Sequence, residues 1–372
     1  MESGIKPISR MLCFSFNQDC SCFSIGTENG FVIYKSAPLN DYYIRELNGG
    51  IGLIAMFNNT NIVGLVGGGK RPFSSLNKLS IWDDANLKVV LEITVDFKII
   101  DVKMKKSLIA LVGKKQIKIY YYDSLENIMD YQEIDDITTP QNSNAIFSIN
   151  LDPAKHVIAY LTKNTGEIMI KTYAKIDIEN QGIQNQKNYI TKKIPAHQTE
   201  ITLMTLNHQG DIIASCSKKG SILRLFSTSS GALLKELRRG TDFAEIYSIN
   251  FDKSSKYVLC SSSKGTVHIF NVTKNDAVKN PKSILSSIAP YFKMQNSFLD
   301  NEWSFAQFHI DCATINIANF VDKDNNIIVL CEDGMYYRAK FNYKGGECEK
   351  LQEKNFLEME KRDDDFYYDD EI

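Results

Sequence analysis

A short phrase of β-forming residues returns seven times along this 372-residue chain, and nothing else in it constrains the fold so tightly. Each copy has a β-rich run, a polar turn, a second run, a tight turn that usually carries glycine, and a third run. The first reads Leu12 to Phe16, Cys22 to Ile25 and Phe31 to Tyr34 after Gly30. The second reads Gly52 to Met56, Ile62 to Val66 and Leu79 to Asp83; the third reads Ile99 to Lys103, Leu108 to Val112 and Ile117 to Tyr121. The fourth has Ile146 to Ile149, Val157 to Leu161 and Ile168 to Ile170, and the fifth has Ile201 to Leu206, Ile212 to Ser217 and Ile222 to Phe226. Ile246 to Phe251, Val258 to Ser262 and Gly265 to Phe270 form the sixth, and Ile315 to Phe320, Ile327 to Cys331 and Gly334 to Tyr337 the seventh.

A three-run sheet cannot bury both faces alone, but a closed ring of such sheets covers each with its neighbours. Almost no capped helical pattern lies between the copies. The reading is an all-β, seven-bladed β-propeller over residues 1–350, in preference to a sandwich, which would have fewer and more irregular strands. Two stretches fall outside the repeat. Residues 273–302 interrupt the sixth copy, and 351–372 form an acidic tail with Asp363, Asp364, Asp365, Asp369, Asp370 and Glu371, which reads as disordered.

Charge excludes one large class. The chain has 43 Lys and Arg against 45 Asp and Glu, whereas a dedicated nucleic-acid binder would be strongly basic. Any anion site must be local. The eight cysteines include Cys20-Ser-Cys22 but no Cys-x-x-Cys pair, so zinc spacing is missing and buried, reduced thiols in an intracellular protein are expected. No apolar run reaches the length of a spanning helix, and Met11 to Phe16 is too short for a secretory signal, so any membrane contact is expected to be peripheral. The five histidines are scattered, and no nucleophile, paired carboxylates or metal motif accompanies them. No enzyme and no cofactor is expected.

Between the fifth and sixth copies stands Leu237-Arg238-Arg239-Gly240. In extended chain, successive side chains point to opposite sides, so adjacent arginines serve two pockets more easily than one. A guanidinium offers five donors in a fixed fork that matches phosphate oxygens. Two phosphate sites flanking one dipeptide is the sharp reading, and two solvated arginines before a turn is the bland one.

The surrounding residues favour the sharp reading. Leu237 to Gly240 is similar to the signature of the PROPPIN family, the β-propellers that bind phosphoinositides and work in autophagy. Leu65-Val66-Gly67-Gly68-Gly69 with Asn77 and Ile81 to Asp84 resembles that family's second blade, and Gly265 to Phe270 its sixth. Pro290-Tyr291-Phe292, Trp303-Ser304-Phe305 and Phe356 to Met359 are similar to its shorter-looped branch. The likeness spans residues 8 to 360. It departs at Ser75-Leu76, where the family usually has a proline before the asparagine, and at Ser261 to Gly265, where serine replaces a frequent aspartate.

The resemblance implies a first headgroup site of His197, Ser215, Ser217, Ser221, Arg224 and Arg238, and a second of Arg239, Ser261, Ser262, Thr266 and His268. Ser215 and Ser217 share one strand face, as do Thr266 and His268. The bland alternatives are ordinary turn hydroxyls, a structural histidine at His197 and an edge residue at His268. A protonated imidazole would add charge, so binding is expected to strengthen as pH falls toward 6.5. In the insertion, Ile284, Leu285, Ile288, Tyr291 and Phe292 make an amphipathic stripe beside Lys279, Lys282 and Lys293, expected to enter a bilayer rather than pack on its own blade. The resemblance further implies phosphatidylinositol 3-phosphate and phosphatidylinositol 3,5-bisphosphate as ligands, and a large lipid-transfer autophagy protein as partner at blades two and three. The setting implied is cytoplasmic, with recruitment to autophagosome precursors, endosomes or vacuole-like organelles. A generic WD-type propeller scaffold without lipid specificity is the alternative.

Overall fold

In several repeats the second run is almost entirely apolar, which suits a strand only when both of its faces are covered. In the computed structural model these runs are interior strands, and Ile62–Gly67, Leu108–Val112 and Asn326–Cys331 are buried at every position. The structure describes residues 10–39, 42–124, 128–174, 189–273, 302–311, 314–321 and 325–359. They form seven antiparallel sheets, each taking four strands in sequence order. Blade 1 spans Met11–Phe16 to Tyr42–Glu46, blade 2 Ile51–Met56 to Lys88–Thr94, blade 3 Asp101–Lys105 to Gln132–Thr138 and blade 4 Phe147–Ile149 to Tyr189–Pro195. Blade 5 runs from Ile201–Leu206 to Leu233–Arg238, blade 6 from Ile246–Phe251 to Ala306–His309 and blade 7 from Asn316–Val321 to Glu349–Asn355. The fold is a seven-bladed β-propeller. Two short strands add parallel edges: Glu302–Trp303 lies beside Leu237 and Arg238, and Gly346–Glu347 beside Ala306 and Gln307.

Each blade has a fourth strand that the repeat phrase does not contain. Gln132–Thr138 and Glu349–Asn355 are mostly exposed, Lys88–Thr94 is partly so, and they carry charges such as Glu92, Asp136 and Lys350. An outermost strand needs little apolar character, and charge there discourages pairing with other chains. Residues 351–355 are therefore strand, so the propeller extends past residue 350 to at least Met359. The remainder of the acidic tail and the insertion residues 274–301 lie outside the described residues. The insertion leaves after Thr266–Asn271 and returns before Ala306–His309, within blade 6. The described cysteines are all free thiols.

Seven apolar clusters fill the seven seams between neighbouring blades. Among the described residues no strand crosses from one end of the chain to complete a blade at the other. Blades 1 and 7 close the ring by side chains: Phe23 stacks on Tyr34 at 4.6 Å, with Phe356 edge-on to both. Tyr34 Oη donates to Phe356 O at 3.1 Å and Tyr336 Oη to Ser36 O at 2.6 Å. Removing the Phe356 ring opens a cavity at the one seam that the chain's continuity does not span. Phe356→Ala is expected to cost about 3 to 5 kcal/mol in urea unfolding, against roughly 0.5 kcal/mol or less for the half-exposed Leu351→Ala.

Candidate functional site

Blade 5 stands between two seams, and strand alternation divides its side chains between them. Ile213 joins the core shared with blade 4, whereas Ala214 and Cys216 join that shared with blade 6. Ser215 and Ser217 consequently face blade 4. Leu223, Leu225 and Leu237 belong to the blade 6 side, which sends Arg224, Glu236 and Arg238 toward blade 4 as well. His197, on the segment leaving blade 4, places Nε2 3.0 Å from Ser215 Oγ. Arg224 donates from Nη1 to Ala196 O at 2.8 Å and from Nε to Glu236 Oε1 at 2.6 Å. Arg238 is in register with Ile222, two residues from Arg224 along the same face, or about 7 Å. Its guanidinium carbon lies 6.0 Å from the ring centre of Trp303, its neighbour in the parallel edge pairing.

Arg239 turns to the other seam. Its Nε donates to Gly220 O at 2.8 Å and its Nη2 donates to Asp242 O. Gly220 has φ +64°, and a Cβ there would meet Ala244 O at 1.9 Å, so only glycine lets the turn of blade 5 pass beneath the connection to blade 6. In blade 6, Val267 and Ile269 enter the core shared with blade 7, leaving Thr266, His268 and Phe270 to face blade 5. Val258 and Cys260 also face blade 5, so Ser262 does too and Ser261 does not. The Ser261 hydroxyl lies 2.7 Å from Ser248 Oγ and donates to Asn316 O of blade 7 at 3.3 Å. The two arginines thus address different seams. Ser261 sits on the far face of blade 6 from Arg239, one residue out of phase with the others. Ser221 contributes its carbonyl, which accepts from the Arg239 and Gly240 amides.

Both arginines are nearly buried, 8% and 7% exposed. Burial first, and then the Arg224 charge, pulls the His197 pKa down to about 4, against a smaller opposing effect of Ser215. Burial first, then Arg239 and His309, does the same to His268, also to about 4. Among the described residues His268 Nδ1 is buried without a hydrogen-bond partner. Each seam therefore holds a neutral imidazole next to an arginine, and the expectation of titration near 6.5 is corrected downward. Three side chains here stand outside the two sites that the sequence implies. Glu236 comes from the unanticipated fourth strand, Trp303 arrives by the parallel edge, and Phe243 stands exposed on the connection beyond Arg239. The insertion residues Ile284, Leu285, Ile288, Tyr291 and Phe292 lie outside the described residues.

In blade 2, the glycines of Leu65 to Asp84 serve the chain's own packing. A Cβ at Gly67 would meet Ser74 O at 1.9 Å, and one at Gly68 would meet Gly52 Cα at 2.4 Å. Lys70 and Arg71 are exposed, whereas Lys78 is paired with Glu92 at 2.8 Å.

A family profile described as PROPPIN matches residues 98–332, which include both seams of blade 5. A relative from Saccharomyces cerevisiae, SVP1-like protein 2, is 32% identical over 333 residues, covering 82% of this chain and 74% of its own. The chain belongs to the PROPPIN family. Autophagy-related protein 18e of Arabidopsis thaliana is 29% identical over 360 residues, covering 96% of this chain and 90% of that one. The solved structure of Kluyveromyces lactis Hsv2 with complete loop 6CD superposes with a TM-score of 0.73 at 23% identity, over 93% of this chain and 99% of that one. For this PROPPIN, family membership implies lipid binding in autophagy, and the Arg-Arg-Gly signature falls at the end of blade 5's outer strand.

The neutral imidazoles set a direction for pH. Their folded pKa values lie below the 6.5 of an unfolded histidine, so the unfolded chain takes up protons first on acidification. The stability they contribute is present above pH 6.5 and is lost as pH falls toward 4. Thermal unfolding midpoints are expected to drop across that window, and His268→Gln to flatten the slope. A midpoint independent of pH between 6.5 and 4.5 would contradict the placement of both rings.

Proposed function

We propose that this PROPPIN reads phosphatidylinositol 3-phosphate and phosphatidylinositol 3,5-bisphosphate through two headgroup sites, as a peripheral scaffold in autophagy or related organelle-membrane traffic. The observation that carries the reading is the division of Arg238 and Arg239 between opposite seams of blade 5. One site comprises Arg238 with Arg224, His197, Ser215 and Ser217, and the other Arg239 with Thr266, His268 and Ser262; Ser221 lines the boundary through its backbone. Phosphate suits this chemistry, since a nearly buried guanidinium keeps its charge and gains most from a bidentate anion in low dielectric. Glu236 holds Arg224 in the unliganded seam, so an incoming phosphate competes with a carboxylate there. A generic protein-interaction propeller would give no reason to bury two adjacent arginines.

Among the described residues no helix is long and apolar enough to cross a membrane. Recruitment would then rest on the headgroup sites, in cytoplasm facing autophagosome precursors, endosomes or vacuole-like organelles. Two sites on one rigid ring engage a single membrane at high effective concentration, so the pair binds far more tightly than either alone.

Calorimetry with soluble inositol 1,3-bisphosphate tests the reading. The expected stoichiometry is about two for the unmodified protein, about one for Arg238→Ala or Arg239→Ala, and none for the double variant, since each arginine contributes roughly 1.5 to 3 kcal/mol of charge-assisted bonding. A stoichiometry of one that survives Arg239→Ala would make that arginine purely structural. In flotation, vesicles carrying phosphatidylinositol 3-phosphate should be preferred over phosphatidylserine vesicles of equal charge; equal binding would sink the reading.

The large lipid-transfer partner proposed for blades 2 and 3 would meet exposed Lys70 and Arg71. Reversing both charges is expected to abolish capture of that partner while leaving vesicle flotation unchanged. Reversal of Lys78, already paired with Glu92, is expected to have the smaller effect, and capture indifferent to all three changes would move the partner elsewhere.

A further inference from the structure

Each of the two arginines carries an exposed aromatic side chain that no headgroup contact explains. Phe243 is 60% exposed in the connection from blade 5 to blade 6. That connection is tied down on both sides: Arg239 Nη2 donates to Asp242 O immediately before it, and the amide of buried Ala244 immediately after it donates to Lys219 O at 3.3 Å. Glu245 N then donates to Ser263 Oγ at 3.2 Å. The ring is therefore held outward between two turns that present Lys218 and Lys219 on one side and Lys264 on the other, all exposed. Trp303 is 39% exposed, in register with Arg238 and with its ring 6.0 Å from that guanidinium.

We infer that Phe243 and Trp303 are a bilayer-contact pair, one beside each arginine, that enters the interfacial layer when the headgroups are bound. The inference rests on the proposed headgroup reading. An exposed apolar ring set among lysines is poorly placed in water but matches a surface with anionic headgroups above and apolar chains below, where aromatic rings concentrate. Continuity with the arginines selects a membrane as occupant over a protein: Trp303 lies against Arg238, and Phe243 follows the carbonyl that Arg239 holds, so a surface bringing phosphates to both seams has an aromatic ring next to each. Phe243 belongs to the connection between the two blades, and Trp303 to the chain that returns from the insertion and pairs with the edge of blade 5.

Phe243→Ser changes an exposed side chain without touching the arginine bonds. It is expected to weaken binding to phosphatidylcholine vesicles containing phosphatidylinositol 3-phosphate by roughly tenfold, about what burial of one aromatic ring provides, and to leave calorimetric binding of inositol 1,3-bisphosphate unchanged. Trp303 supplies a second readout, because the chain has two tryptophans and the other, Trp82, is buried in blade 2 at 7% exposure. On the same vesicles made with lipids brominated along the acyl chain, tryptophan emission should shift to the blue and be partly quenched. Unchanged vesicle affinity in Phe243→Ser, or emission indifferent to brominated lipid in the bound protein, overturns the inference. So does an unmodified protein that binds the soluble headgroup but not the vesicle, and that result leaves the headgroup reading standing. Failure to bind either would overturn the headgroup reading itself, and this inference with it.

Discussion

The ring depends on apolar packing between the faces of neighbouring sheets. Every blade has interior strands covered on both sides, and none could keep Leu65, Ala110 or Val329 out of water alone. Continuity of the backbone joins six of the seven seams. The seventh is held by the Phe23, Tyr34, Tyr336 and Phe356 rings and two tyrosine hydroxyls bonded to carbonyls across it. Closure by side chains leaves the described strands of blades 1 and 7 in separate sheets, and Phe356, just past Glu349–Asn355, is the residue that fills the seam between them.

The same constraint creates the candidate site. A blade packed on both faces has no surface of its own except its turns and outer edge, so polar side chains pointing sideways near a blade's end fall into a seam. Arg238 ends the outer strand of blade 5 facing one seam, and Arg239, one residue on, reaches the other. Their near burial follows from the neighbouring blades. The histidines are affected in the same way: burial in the seams, helped by the neighbouring guanidinium charge, pulls the pKa values of His197 and His268 down to about 4.

What could be read beforehand tracks how strongly each residue's burial constrains its identity. Interior strands require apolar residues, and their seven copies were legible as seven blades. Outer strands require little, so Lys88–Thr94, Gln132–Thr138 and Glu349–Asn355 left no apolar signature, and the end of the propeller was set too early at residue 350. Spacing by two was enough to put Ser215 with Ser217 and Thr266 with His268 on common faces. It was not enough for Ser261 and Ser262, because adjacent serines in one strand must face opposite ways and only the register with blades 5 and 7 shows which is which. Glu236 was invisible for want of the fourth strand, and the place of Trp303 beside Arg238 because a parallel edge pairing across a long insertion leaves no local pattern. The glycines of blade 2 were visible, but their role as close contacts with Ser74 and Gly52 depends on where the chain folds back.

A buried cation beside a histidine is not by itself evidence of an anion site, and the seam between blades 3 and 4 shows why. Lys105 is 2% exposed there, close enough to His156 to help burial hold that ring's pKa down at about 4, and His156 Nδ1 has no partner among the described residues. The Lys105 ammonium, however, has three donors and meets three oxygens: Asn150 Oδ1 at 3.1 Å, Asp152 O at 2.7 Å and Lys155 O at 2.6 Å. Its hydrogen-bonding capacity is met by the turn it holds, so its role is to fasten blade 4 to blade 3. Arg239 has five donors, and among the described residues its side chain bonds only Gly220 O and Asp242 O. The difference between the two seams is therefore unspent donor capacity on a cation that burial has already desolvated. An anion arriving at Arg239 meets donors held in place by the two bonds already formed, and it need not break either of them to bind.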